Sequence, residues 1–328
     1  MSSVIMSDYP TVRVWPYHLL TFCVVLIWGV TFVNTKVLIF NGLYPDQIFV
    51  LRFLLAYLCI WFISPHKFFC DSCREEGQMF ALGLFAGAFY FNLETLAIGL
   101  TYVNNVSFIV CTSPVVTALI AALLLREEHL SRHLVWGSVI ALLGVGIVVF
   151  NGHFILKLSP AGDLLAVGAA VSWAIACILM RVCTQHYSST FVARKIFFYG
   201  ILGGLFFMFI RHPAQPFPPL SLIAKPQVWS NLAFLGFVAS FCCFVLWTLA
   251  IKRLGAVTAS NYIYLNPVST VVASALFLDE PMTWLAYIGS AQILLGVFIA
   301  NRSQRHSVAA APTREEERNV QKDNAHFS

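Results

Sequence analysis

The chain has 328 residues, of which 59% are hydrophobic and only 11% charged, with a mean hydropathy of +0.78, whereas about a quarter of a soluble domain is charged. That composition excludes a water-soluble globule and makes the bilayer the solvent. The net charge of +5 implies no nucleic-acid partner, because the basic residues follow topology rather than gather in a patch.

In chain order, residues 1–16 form a short N-terminal segment with one arginine, expected in the cytoplasm. Apolar runs then predict ten membrane spans near 17–39, 45–63, 77–100, 104–125, 134–150, 162–182, 190–210, 229–250, 257–278 and 283–300. The first run lacks a small-x-small cleavage site and continues through Trp28 to Lys36, so it reads as a true span and not as a cleaved signal. HKFFCDSCREEG after the second run and RHPAQPFPPLSLIAKP after the seventh are loops, since neither could cross hydrocarbon with its backbone unpaired. The tail 301–328 is polar and poor in aromatics, as disordered segments are. Nine cysteines are scattered mainly through apolar runs, where they act as small apolar residues. Cys70-x-x-Cys73 has no second CxxC or CxxH partner, so neither metal nor cofactor is expected.

With a cytoplasmic N-terminus, the inner side carries fifteen basic residues, among them Lys67, Arg194, Lys195 and five in the tail. The outer side then carries Lys157, Arg211 and Lys225, with Lys36 at the rim. This asymmetry satisfies the positive-inside rule with both termini in the cytoplasm.

The sequence repeats itself. Thr95-Leu96-Ala97-Ile98 before Pro114 returns as Thr248-Leu249-Ala250-Ile251 before Pro267. Gly137-Ser138 and Leu142-Leu143-Gly144-Val145 return as Gly289-Ser290 and Leu294-Leu295-Gly296-Val297, while Leu19-Leu20, Trp28 and Lys36 are answered by Leu164-Leu165, Trp173 and Arg181. Three blocks in the same order define a unit of five spans at 17–150, a linker at 151–161 and a second unit at 162–300. Five is odd, so the second copy enters the membrane the other way up. The expected fold is therefore all-α and polytopic, ten spans in two inverted repeats, with a site near the midplane between the halves.

Trp28-Gly29 in the first span, Pro45 and Arg52-Phe53 in the second, Pro114 followed by Glu128-His129-Leu130-Ser131, and Pro267 followed by Leu278-Asp279-Glu280-Pro281 together resemble the EamA family of the drug/metabolite transporter superfamily. The resemblance covers about residues 17–300. It implies ten helices, both termini inside, a multi-pass protein of the cell membrane (the inner membrane in a bacterium), and export or uptake of amino acids and related metabolites, with a homodimer left open. Of Glu127 and Glu128, spacing from Pro114 favours the first and the Gly137 block the second; Glu128 is preferred, and it and Glu280 fall at helix-joining turns, where an acidic residue caps the next helix.

Ionisable residues within a span are default site candidates, and here they are Lys36, Arg52 and Glu94, at similar depth near the outer side. Two readings stand. One is a gate or zwitterion clamp, with Arg52 and Lys36 for a carboxylate and Glu94 for an amine. The other is structural, with Arg52 and Glu94 neutralising each other while Lys36 snorkels to the headgroups. The repeat sets Phe197 opposite Arg52 and Trp247 opposite Glu94, so the inner half lacks the cluster. Trp28 and Trp173 lie at mid-span, away from the interfacial positions tryptophan favours, and would line an aromatic cavity or pack. Ser113 precedes Pro114, and Tyr264 and Asn266 precede Pro267. Proline frees a carbonyl one turn earlier, giving a kink that binds a polar group or only bends the helix. Asn92 is set on a different face of its span from Glu94. Gly83-x-x-x-Gly87 and Gly200-x-x-x-Gly204 are packing motifs.

An enzyme would need a catalytic constellation at one membrane face, and His129 with His133 has no third ligand. There is no GxxxxGK[ST] loop for ATP drive, and inverted halves fit alternating access better than a pore. The expectation is thus a secondary transporter, not an enzyme, that binds a small-molecule substrate amid membrane lipid. An amino-acid or metabolite exporter comes first and an uptake permease second, with a polytopic enzyme or receptor as the alternative of another class.

Overall fold

The structure, a computed structural model, describes residues 14–64, 67–100, 103–124, 131–150, 159–213, 217–277 and 284–302. The expected N-terminal segment (to residue 13), Glu127, Glu128 and His129, linker residues 151–158, Glu280 with its motif, and the tail from 303 lie outside the described residues.

Among the described residues every regular element is helical. α1 is Trp15–Phe40 and α2 Pro45–Ile60. α3 runs through Cys73–Gly83, a π-helical turn Leu84–Phe89, and Tyr90–Leu100. α4 is broken into Val103–Val110 and Ser113–Leu124. α5 is Arg132–Phe150, α6 Pro160–His186 and α7 Ser189–Arg211. After the single turn Leu220–Ile223, α8 runs through Pro226–Ala233, a π-helical turn Phe234–Cys242, and Cys243–Leu254. α9 comprises Ala256–Ser260, a 3-10 turn Asn261–Leu265, and Asn266–Phe277. α10 is Trp284–Arg302.

Local chemistry explains the ends. Proline opens α1, α2, α6 and α8 within the first two positions, where its missing N–H is no loss. Ser72 Oγ accepts from Glu75 N at 3.2 Å and Ser188 Oγ from Phe191 N at 3.3 Å, capping α3 and α7. Gly255, at φ +87°, makes the abrupt turn from α8 to α9 that a side chain would resist.

Cys73–Ala97, Arg132–Val149, Pro160–His186, Ser189–Arg211 and Pro226–Leu254 are each long and apolar enough to cross a membrane, and Trp15–Thr31 and Phe108–Leu124 are shorter apolar stretches. Large apolar side chains such as Phe62, Leu123 and Trp284 stand exposed on the outside, as they do on a protein whose solvent is lipid. The chain is a polytopic membrane protein.

The helices pack crosswise. α2 lies on the π-turn of α8 and α7 on the π-turn of α3; α1 packs on α8 and α9, α6 on α3 and α4, and α5 on α10. At α5–α10, a Cβ on Gly137 would fall 2.6 Å from Gly296 O and one on Gly144 2.8 Å from Gly289 O. Each glycine thus faces the repeat counterpart of the other. The GxxxG pairs of α3 and α7 also meet, with Gly87 against Gly200.

Candidate functional site

A cavity of about 230 Å³ lies between the crossed helices. It runs from Trp28, Trp173 and Phe244 out to Thr35 and Ile39 on α1 and to Pro45 and Asp46 at the start of α2. Its deep wall is aromatic. Trp28 stands 5.6 Å from Trp173 with the rings edge to face, 5.0 Å from Trp247 and 5.6 Å from Phe244, and Tyr90 closes on Trp173 at 5.2 Å. Such tilted and T-shaped contacts suit the ring quadrupoles and hold the indoles as a rigid cluster. Trp28 Nε1 donates to Ala239 O at 2.9 Å.

Arg52 and Glu94 provide the charge. Arg52 Nε donates to Ser240 Oγ at 2.8 Å, and its guanidinium lies over Phe91 at 5.5 Å. Glu94 Oε1 accepts from Tyr90 O–H at 3.0 Å, one turn back on α3. The two are not an ion pair among the described residues. Each is held by its own neighbour, so the two meet across the cavity without direct contact. Asp46, also in the lining, is engaged by Arg211 at 2.8 Å and lies 3.7 Å from His212 Nε2. That pair joins the start of α2 to the end of α7.

Ser113 and Asn266, at the breaks in α4 and α9 beside Pro114 and Pro267, line the cavity, as do Asn92 and Pro267. Ser113 Oγ, Asn92 Oδ1 and Asn266 Oδ1 are buried without a hydrogen-bond partner among the described residues. Asn92 Nδ2 is used within α3, donating to Ala88 O at 2.6 Å. Asn92 and Glu94, expected on different faces, have different partners but border the same cavity, which takes in more than one face of α3. Trp247 and Tyr264, both fully buried, are not in the lining: Trp247 packs behind Trp28 and Trp173. Tyr264 is two residues from Asn266, so the two point to nearly opposite sides of the helix. Lys36 lies in α1, with its side chain outside the described residues. Tyr90, Phe91, Phe244 and Ser240 are among the contributors that sequence reasoning missed, as are Thr35 and Asp46. Tyr90 was legible as the residue four before Glu94, and Ser240 as a lone hydroxyl in an apolar run.

At the other end of the bundle, the segment 67–76 is bound to α6 and α7. Lys195, expected with Arg194 among the topology-setting charges, is buried and pairs with Glu76, to which Tyr199 O–H also donates. Arg194 donates to the carbonyls of Ser64 and Lys67; Lys67, at φ +63°, turns its carbonyl inward from a conformation rare outside glycine. Tyr187 O–H accepts from Asp71 N at 2.8 Å and donates to Glu75 at 2.8 Å. The Lys67 ammonium, 2.5 Å away, holds the Asp71 carboxyl below its usual range. Cys70 and Cys73 are unbridged, and no metal-binding group of His, Cys, Asp or Glu occurs among the described residues.

A model of the EamA-like transporter family matches residues 15–150 and again 160–302. The chain is 25% identical over 293 residues to the "Uncharacterized transporter YvbV" of Bacillus subtilis (strain 168), covering 88% of this chain and 92% of that one. It is 25% identical to a "Probable amino-acid metabolite efflux pump" of Escherichia coli (strain K12), covering 85% and 93%. One crystal structure superposes with a TM-score of 0.71 at 19% identity, over 89% of this chain and 98% of the other, which speaks to the fold alone.

Proposed function

This chain belongs to the EamA-like transporter family, within the drug/metabolite transporter superfamily, and we propose that it is a secondary transporter exporting amino acids or closely related metabolites across the cell membrane. The observation that carries this reading is the pairing of Arg52 and Glu94, opposite in charge and separately anchored, in one aromatic-walled cavity of about 230 Å³. Among the described residues the lining offers one available cation and one available anion, which suits a zwitterion better than a polyanion or a dication. The arginine takes the carboxylate and Glu94 the amine, while Asn92 Oδ1, Ser113 Oγ and Asn266 Oδ1, unpartnered among the described residues, supply further acceptors. The name borne by the Escherichia coli relative supports the same class of solute.

We read the architecture as ten spans in two inverted five-helix units with both termini in the cytoplasm. The glycine contacts at α5–α10, in which each repeat position meets the counterpart of the other, are what a local two-fold crossing produces. The cavity then reaches toward the outer side while the Glu76–Lys195 and Tyr187 networks close the inner one. In an alternating-access carrier the direction of net flux follows the gradients.

The test is flux of a labelled amino-acid and metabolite panel in proteoliposomes of known orientation, with and without a pH gradient, for the wild type and Glu94→Gln. Saturable transport of one solute class, lost in the variant, is the expected result. Folded protein that moves none of the panel would remove the reading.

A further inference from the structure

A π-helical turn carries about one more residue per turn than its α flanks and often marks a functional site, and its carbonyls, with two lone pairs each, can also accept from neighbouring helices. Both π-turns use them across the two halves of the chain. Phe85 O accepts from Ser172 Oγ at 2.8 Å, beside Trp173, and Ala239 O accepts from Trp28 Nε1 at 2.9 Å. One residue further on, Ser240 Oγ accepts from Arg52 Nε at 2.8 Å, with both residues buried. The turn Phe234–Cys242 therefore grips an aromatic wall of the cavity and its cation with adjacent groups.

We propose that Ser240 is a positioning residue for ligand recognition, its hydroxyl fixing the Arg52 side chain so that the guanidinium fork is presented to a carboxylate in the cavity. Engaging Nε fixes the plane of the guanidinium and directs its terminal N–H groups, the pair that reads a carboxylate in two-point fashion. Phe91, 5.5 Å from the guanidinium carbon, supports one face of that plane. The proposal rests on the transporter reading above. It adds that recognition by Arg52, in the first half, is set by a residue of the second.

Two measurements test it. In proteoliposome flux of the radiolabelled amino acid that the panel identifies, Ser240→Ala is expected to raise KM about tenfold, as losing a hydrogen bond to a charged group does, while the maximal rate stays within about twofold. Ser240→Thr restores KM, and Ser240→Ala adds nothing in an Arg52→Gln background. Independently of any solute, ¹⁵N-arginine-labelled protein is expected to give one slowly exchanging Nε–H signal, assigned by its loss in Arg52→Lys, kept in Ser240→Thr and exchanging fast in Ser240→Ala. An unchanged KM in Ser240→Ala, the same rise without Arg52, or Nε–H exchange indifferent to residue 240 would each overturn the inference. Exchange that follows residue 240 in a protein transporting none of the panel upholds the bond and overturns the transport reading instead.

Discussion

Cys70 and Cys73 share a three-residue frame but not an environment. Burial first, and then the Glu76 carboxylate, push the Cys70 thiol up to about 11, whereas Cys73 is exposed. The thiolate is the nucleophile, so iodoacetamide at neutral pH is expected to label Cys73 well before Cys70. The gap should narrow as pH rises toward 11, the direction in which a raised thiol ionises; mass spectrometry of the peptides reads it, and equal rates at neutral pH would contradict the burial of Cys70. Sequence made the pair visible but not this difference, because Glu76 reaches Cys70 N at 2.7 Å only by folding back over the start of α3. Arg52 and Glu94 were legible for a simpler reason, since an ionisable residue inside an apolar run has few innocent explanations.

Elements were read from the chain more surely than the faces they present. Apolar runs located the long helices α1 to α10 but not the single turn Leu220–Ile223, which lies in a stretch read as a loop, and paired prolines marked the breaks in α4 and α9, because hydrophobic length and missing N–H groups are local properties. Trp247 shows the limit: its repeat register set it opposite Glu94, yet Trp28 and Trp173 stand between it and the cavity, an ordering in depth that only packing decides. At α5–α10 packing also governs what can be changed. Gly144→Val places its first carbon 2.8 Å from Gly289 O and 2.9 Å from Ile293, and overpacking of this kind costs about 1–3 kcal/mol. Gly146→Ala meets only Phe108 at 3.4 Å and is expected to be tolerated. Thermal melting in detergent distinguishes the two; equal midpoints would contradict the close crossing.

At the scale of the whole molecule, the cavity and the network around Glu76 and Tyr187 lie at opposite ends of the bundle. In a cysteine-free background, Thr35→Cys on the cavity wall is therefore expected to react with a membrane-impermeant thiol reagent from the outer face, and to be shielded by a transported solute. A cysteine returned at position 183, buried at the other end, is expected to resist the reagent from that face. Reaction at 183 from outside, with 35 protected, would invert the assignment of sides. The crossing of α5 and α10 carries one more consequence. Because Gly137 lies against Gly296 and Gly144 against Gly289, each helix is the mould of the other at this seam. On the proposed two-unit reading, the halves differ around the cavity, where Arg52 has Phe197 in its register. At the seam neither helix can enlarge a side chain without the other yielding, so the likeness in sequence between the two is held there by mechanical necessity.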